Sequence, residues 1–527
     1  MSAAPTSFRS DLPAGHAGFA GLLRAELTKL RTVRGWVIAL ALAGLLIVLM
    51  AVLATFHQQT SVQAAPGSPV VAAHPFVPLG PGGEAVTDSF YFVHQPLAGN
   101  GSITVRLSAL TGVIAQVYNH GSASQSQRLA ATRPGLVPWA KAGLIVKEST
   151  RQGSPYAALM ATGAHGVRLQ YDYTHDIAGM PGQVSAASPR WLQLIRSGDV
   201  LIGSESSDGT HWNRVGSVRL AGLSETVQAG LFVTSPATRQ STQAHSDQSP
   251  SSASAAFDHV SLEGQWPHGS WSGVAVGAGT VTPSLTPGSY QQSGGVFTVT
   301  GSGDIAPAVG VGDTPATSLA GLFVALIVVI VLGALFMATE YRRGLIRTTL
   351  AASPRRARVL AAKALVLGSV TFAVGLVATA IAVPLGEHLL HAQGNYLYPL
   401  SVLSEVRVLA GSAALLALAA VLALAFGTVL RRSAVAVVAV IAAIVLPNVL
   451  VITAALPLAA SRWLLRLTPA AGLAIQQTLT AYPQVHYAYS PARGYFPLAP
   501  WAGFAVLCAW VSLALILALV LLRRRDA

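Results

Sequence analysis

Cysteine is all but missing from this chain. Cys508 stands alone among 527 residues, inside an apolar run, so no intrachain disulfide, thiolate metal site or paired-thiol redox chemistry can be built. Charge is scarce too: Asp, Glu, Lys and Arg make up 10% of the residues against 52% hydrophobic, a balance that excludes an ordinary soluble globular protein. Lysine is scarcer still, four residues among the 33 basic ones, a bias that by itself carries little about function. No Gly-x-x-x-x-Gly-Lys-Ser/Thr phosphate loop occurs, so the usual ATP cradle is excluded. His94, His120, His165, His175 and His211 lack the short intervals of a zinc motif, and no metal ligands are assigned.

What is present is long apolar sequence. Six runs, residues 36–56, 319–339, 364–386, 407–430, 433–455 and 501–522, approach the roughly 20 residues a helix needs to cross a bilayer. They carry essentially no ionisable residue beyond their edges, which argues against transport driven by protons moving through the spans. The formal charge of +13 is unevenly spread. Residues 60–315 hold 12 basic and 14 acidic residues, a net of −2, and the rest of the chain holds 21 and 6, a net of +15. The excess flanks the apolar runs, where it reads as an orientation signal and not as a nucleic-acid footprint. It places both termini and residues 340–363 in the cytoplasm, and residues 57–315 outside a cytoplasmic (plasma) membrane. The fold class expected is a polytopic α-helical membrane protein of six spans, with an all-β jelly-roll sandwich inserted between helices 1 and 2.

Taken in order, residues 1–18 are expected to be disordered. Residues 19–35 carry Leu22, Leu23, Leu27 and Leu30 on one face with charge elsewhere, an interfacial amphipathic helix. The first span follows at 36–56. Residues 57–87, rich in Pro, Gly and Ala, read as a linker. From residue 88 to 264, many short alternating stretches such as SITVRLSAL, AKAGLIVKES and VQAGLFVTS recur between turn signals, as in an antiparallel sandwich. Residues 265–315 are Gly/Ser/Thr-rich and read as a linker with a β-addition. Residues 387–406 form an external loop and 456–500 an external segment with re-entrant or interfacial helical pieces, and 523–527 is a cytoplasmic tail.

The densest charge lies between the second and third spans, at EYRRGLIRTTLAASPRRARVLAAK, residues 340–363. Leu345, Ile346, Leu350 and Ala351 recur at near-helical spacing, and Ser353-Pro354 ends that pattern. As charge alone, the stretch needs to be no more than an anchoring loop that holds topology. Its wording says more. An acid closing a span, the RGLIR core, the SPRR break and the AAK entry resemble the cytoplasmic coupling segment of ABC-2-type transporter permeases of the actinobacterial kind, and AELTKLRTVRGW resembles the elbow helix of the same family. The resemblance implies a permease subunit of an exporter, paired with itself or a sibling permease and driven by a separate ATPase that binds ATP and Mg. This chain then needs no cofactor of its own and is not an enzyme. It further implies that Arg342, Arg343, Leu345, Ile346, Arg347 and Leu350 dock on the ATPase, with Glu340 in that joint and Glu26, Lys29 and Arg31 as a second contact.

The wording of residues 88–264, PWAKAGLIVKES through FDHVSLEG, resembles a concanavalin A/laminin-G-like sandwich, a fold that often binds carbohydrate. Trp139, Trp191 and Trp212 are the candidates for contact with an extracellular glycan, although large aromatics are mainly buried. Glu148, Asp172, Glu205 and Asp208 form no recognisable catalytic pair. The alternative function is therefore a membrane-anchored carbohydrate-binding or sensor protein centred on the sandwich.

Overall fold

The apolar runs fold as helices because a backbone in lipid must satisfy its own N–H and C=O groups. The computed structural model describes residues 18–59, 77–115, 132–241, 246–267, 269–277, 288–342, 344–345, 348–349, 355–485 and 489–524. Helix α1 (Phe19–Thr32) is followed by α2 (Arg34–Gln59), α3 (Leu322–Arg342), α4 (Arg356–Ala392), α5 (Val402–Leu430), α6 (Ser433–Ile452), α7 (Leu458–Leu467) and α8 (Pro500–Arg524). Among the described residues, α2 to α6 and α8 are the six helices long and apolar enough to cross a membrane. The chain is a multi-pass membrane protein.

Helix α5 is the axis of the bundle. It is buried on all sides between α3, α4, α6 and α8. Gly333 of α3 lets two backbones meet there: a Cβ at that position would stand 2.2 Å from the carbonyl oxygen of Ala420, the close approach that small residues permit between helices in lipid. On the periphery, α2 and α8 turn Ile38, Leu45, Phe56, Trp501, Leu513 and Ile516 outward.

One membrane helix is longer than the span read in the sequence, and the segment expected to hold re-entrant or interfacial pieces holds short helices. Helix α4 has 37 residues and contains Pro384, where the third span was expected to be 364–386. At about 1.5 Å per residue it is roughly 55 Å long, so it outruns the hydrocarbon at both ends. Proline removes one N–H, and a helix packed among neighbours continues through it. Within 456–500, α7 breaks at Thr468, and a short 3₁₀ helix, Pro469–Gln476, plunges back among α5, α6 and α8 with every residue buried.

Between α2 and α3 lies an antiparallel sandwich. Its strands are β1 (Val86–Asp88), β2 (Phe90–Ala98), β3 (Gly101–Ala115), β4 (Thr132–Pro134), β5 (Lys141–Lys147), β6 (Tyr156–Thr162), β7 (Val167–Tyr171), β8 (His175–Ala178), β9 (Arg190–Ser197), β10 (Val200–Ser206), β11 (Asn213–Arg219), β12 (Thr226–Thr234), β13 (Thr238–Ser241), β14 (Ser246–Ser249), β15 (Ser251–Gly264), β16 (Ser272–Val276), β17 (Gly288–Ser293), β18 (Val296–Gly301) and β19 (Ile305–Pro307). One sheet runs β16-β2-β12-β5-β6-β7-β8. The other runs β11-β10-β9-β3-β15-β18-β17, with β4 off β3. Alternate residues of both sheets, among them Val93, Leu144, Leu159, Leu194 and Leu231, face inward and form the core. Strands β16 to β19 fall in the stretch read as a linker with a β-addition. Strand β16 extends one sheet and β17 and β18 the other, because their backbones pair even where their side chains stay in water.

The alternation expected of a sheet with one wet face fails in β5 and β6, where every residue is buried. A third layer explains this. Strand β1, arriving from α2, pairs antiparallel with β19, leading to α3, with Asp88 opposite Ile305. This two-stranded stem covers the outer face of the seven-stranded sheet, closing Phe90, Phe92, Ile145, Tyr156, Met160 and Phe232 into a second core. Two lysines at either end of β5 pin it: Lys141 Nζ lies 2.7 Å from Asp304, and Lys147 Nζ 2.8 Å from Asp88.

The stem is also clasped from the membrane side. The Tyr396 hydroxyl, in the α4–α5 loop, accepts from Ala85 N–H at 2.8 Å and donates to the Gly83 carbonyl at 3.1 Å. The Tyr398 hydroxyl donates to the Ala308 carbonyl, and Gln484 Nε2 to the Thr174 carbonyl. Burial pushes the Tyr396 phenol up to about 12, so it stays a donor at any physiological pH. Tyr396→Phe is expected to cost about 1–2 kcal/mol by leaving the Ala85 N–H without its partner. Hydrogen exchange should show that amide deprotected while the core of β12 stays protected, and unchanged exchange at Ala85 would remove Tyr396 from the clasp.

Candidate functional site: an ion-pair joint at the roots of the helices

The end of the bundle opposite the sandwich gathers the scarce charges. Helix α1 turns Glu26 and Leu30, four residues apart and so on one face, into the protein, where both are buried. The chain breaks helix at Val33 and enters α2. Glu340 closes α3, and Lys363 lies two turns into α4. Expected as the mere entry to a span, Lys363 is the centre of the cluster.

Lys363 Nζ lies 2.8 Å from Glu26 Oε2 and 2.6 Å from Glu340 Oε1. Lys29 Nζ completes the ring at 2.8 Å from Glu26 Oε1 and 3.1 Å from Glu340 Oε1. Two cations and two anions thus cancel. The Lys363 side chain is 0% exposed, those of Glu26 and Glu340 2% and 7%, and only Lys29 is partly open at 39%. Lys363 also stands over the Phe336 ring at 5.1 Å, and Phe336 packs on Trp36 at 4.8 Å. Helices α1, α3 and α4 therefore meet at one ammonium, and α2 joins them through Phe336.

Burial of a charge is costly unless it is paired and hydrogen-bonded. Here the pairing comes from helices more than 300 residues apart in sequence, so the ring forms only when elbow and bundle are docked. At Lys29, burial pulls the ammonium down, but the hydrogen bond and charge of Glu26 and the charge of Glu340 outweigh it and hold the group above its ordinary value. Among the described residues, no group hydrogen-bonds the buried Glu340 Oε2.

Of the residues the sequence singled out, the structure brings together Glu26, Lys29 and Glu340. Arg31 is exposed on another face of α1, and Leu345 is exposed beyond α3. Arg343, Ile346, Arg347 and Leu350, and the side chain of Arg342, lie outside the described residues. Among the described residues, no ring contact joins the three tryptophans. Trp139 is buried, stacked on His165 at 4.0 Å with Arg168 above it. Trp191 is backed by Gly209 and meets His259 edge-on, and Trp212 is half-buried beyond the Asp208 turn. That turn is held by the Asp208 carboxylate, which accepts from the Thr210 and His211 N–H groups and is thereby kept well below the usual carboxylate range. Among the described residues, no group of three or more His, Cys, Asp or Glu is placed to hold a metal.

Comparisons with known proteins bear on the membrane part. No curated protein matches the chain. Among solved structures, a functionally unknown protein from Saccharomyces cerevisiae is 16% identical over 37% of this chain and 83% of its own, at a TM-score of 0.21. Two structures of Scytalido-glutamic peptidase, one with a peptide-based transition state analog and one with a transition state analog inhibitor, are 9% identical over 40% of this chain and 98% of theirs, at TM-scores of 0.24 and 0.25. At such scores the likeness goes no further than those figures. The sequence model of the family described as "ABC-2 family transporter protein" matches residues 236–527, which is more than half of the chain and takes in α3 to α8. With six spanning helices and a charge joint at their roots, this chain belongs to the ABC-2 family of transporter proteins.

Proposed function

We propose that the chain is the permease subunit of an ABC exporter, energised by a separate ATPase subunit that binds ATP and Mg. Two permeases, identical or sibling, line the path for a drug, lipid or glycan-like cargo, with α1 and the segment between α3 and α4 in the cytoplasm and the sandwich outside. The observation that carries the reading is the buried ring of Glu26, Lys29, Glu340 and Lys363. It fastens the elbow to the two helices that the basic segment 343–355 connects. A push on that segment is thus shared by α1, α3 and α4, because a buried ring of paired charges breaks only at a cost of several kcal/mol. Arg342, Arg343, Leu345, Ile346, Arg347 and Leu350 supply the docking face, and Arg31, exposed on the outer side of α1, a second contact.

The reading is tested by purifying the tagged protein from gently solubilised membranes. Wild type should carry an ATPase with it, and Arg343→Glu/Arg347→Glu should lose that partner at least tenfold while eluting as a folded protein. Equal recovery of the ATPase with the double variant would end the coupling role. A sandwich-centred carbohydrate-binding function has less in its favour. The stem covers the outer face of the seven-stranded sheet, and Trp139 is buried against His165 and Arg168.

A further inference from the structure

On the α1 side of the bundle, the start of α4 and the end of α8 face each other across a cavity of about 410 Å³ lined by Arg355, Arg356, Ala357, Arg358 and Arg523. Arg356 ties its two walls together by donating to the Leu522 carbonyl. Among the described residues, no acid lines the cavity. On this side of the membrane the described carboxylates are those of Glu26 and Glu340, and both are already engaged by Lys29 and Lys363. Arg355, Arg358 and Arg523 are exposed. Like charges crowded into one concavity repel, and an anion held between the exposed arginines relieves that repulsion.

The walls say what kind of anion. On α8, Ile516, Val520 and Arg523 follow one another at four- and three-residue spacing and so share a face. On α4, Leu365 and Arg358 are seven apart and share another. Ile516, Val520 and Leu365 are exposed apolar residues on membrane-spanning helices. Each lipid-facing stripe therefore ends at an arginine on the rim. A group that fits must put a phosphate among guanidiniums and hydrocarbon along both stripes.

We infer that this cavity is a site for the phosphate of an anionic glycerophospholipid in the leaflet on the α1 side, the cytoplasmic one under the topology proposed above. Guanidinium forks suit phosphate oxygens, and basic pockets at this depth are suited to lipid headgroups. The inference stands independently of whether an ATPase docks on residues 343–350. Inorganic phosphate offers the same oxygens without the chains, so the experiment separates the two.

The full chain, purified in a neutral detergent, is titrated with phosphatidylglycerol, with phosphatidylcholine, or with inorganic phosphate. Bound lipid is counted by native mass spectrometry, and thermal stability is followed in parallel. Phosphatidylglycerol should leave a retained adduct and raise the melting temperature, and phosphatidylcholine should do neither. Arg358→Gln/Arg523→Gln should weaken the adduct on the order of tenfold or more, since each arginine near an anionic headgroup counts for about a factor of five. Arg432→Gln, an exposed arginine on the same side but outside the cavity, should leave it unchanged. Equal retention of the two lipids, or equal weakening by Arg432→Gln, would overturn the site. Displacement by inorganic phosphate at matched concentration would assign the cavity to a soluble anion and overturn the lipid. Loss of a copurifying ATPase in Arg358→Gln/Arg523→Gln with lipid retention intact would make this a protein-docking face instead.

Discussion

Lys363→Met is expected to destabilise the protein by about 3–5 kcal/mol, the largest effect of any single change at the joint. Methionine keeps the volume and the packing against Phe336, so what is lost is charge. Two buried carboxylates would then face one ammonium, that of Lys29, which is itself partly in water, and among the described residues Glu340 Oε2 has no other partner. Lys363→Arg is expected to fall between, because the fully enclosed site around Nζ was shaped for a point charge and not for a planar fork. The compensating pair Lys363→Met/Glu340→Gln leaves one anion facing one cation and should recover more than half of the loss, a coupling that a double-mutant cycle reads directly. Thermal unfolding in detergent gives the stabilities, and hydrogen exchange of α1 gives the mechanism. If the ring is what docks the elbow, α1 loses protection in Lys363→Met well before α5 does. A single variant that melts with wild type, or in which α1 and α5 loosen together, would leave the ring without a mechanical role.

The membrane architecture was legible because apolar run length and flanking charge are local quantities, readable one segment at a time. Glu26, Lys29 and Glu340 were reachable the same way, as charges beside spans. Lys363 was not singled out, since a lysine at a span entry reads as an anchor until the helix that brings Glu26 to it is known. One signal did exist. The chain has only four lysines, and each of them, Lys29, Lys141, Lys147 and Lys363, makes an ion pair with a buried or half-buried acid. Where arginine is the default cation, the retained lysines mark enclosed sites that a compact ammonium fits and a guanidinium does not. The third layer of the sandwich was hidden for a different reason. Its strands are three residues each, and Asp88 and Ile305 pair across more than 200 residues; no window of sequence contains both. The β-addition read within 265–315 did not extend to β17, whose side chains are mostly exposed and polar. Side-chain pattern reports burial, and this strand contributes backbone pairing.

Lys147→Met is the corresponding experiment on the outer side, and there too about 3–5 kcal/mol is expected, now confined to the sandwich. Asp88 sits at the end of β1 with its Oδ2 held by three donors: Lys147 Nζ at 2.8 Å, the Tyr173 hydroxyl at 2.7 Å and the Gly153 N–H at 2.9 Å. Tyr173 reaches it from a turn in which Asp172 and Tyr173 both adopt positive φ, 41° and 60°, a conformation held against local cost by the contacts it makes. Burial pulls the Lys147 ammonium below its ordinary value, and the charge and hydrogen bond of Asp88 oppose it. Without that ammonium, Asp88 is a carboxylate in a dry core with two neutral donors, and the stem strand carrying it has lost its pin. Lys141→Met should cost less, because Asp304 is 14% exposed where Asp88 is fully enclosed and can recover solvent. The expected readout is limited proteolysis that cuts near residues 77–90 in Lys147→Met while α3 to α6 stay intact, with Asp88→Asn/Lys147→Met restoring resistance. Cleavage at wild-type rate in Lys147→Met would mean that the β1–β19 pairing and the Tyr396 clasp hold the stem by themselves. In that case the sandwich is fastened to the membrane part from below and not from within.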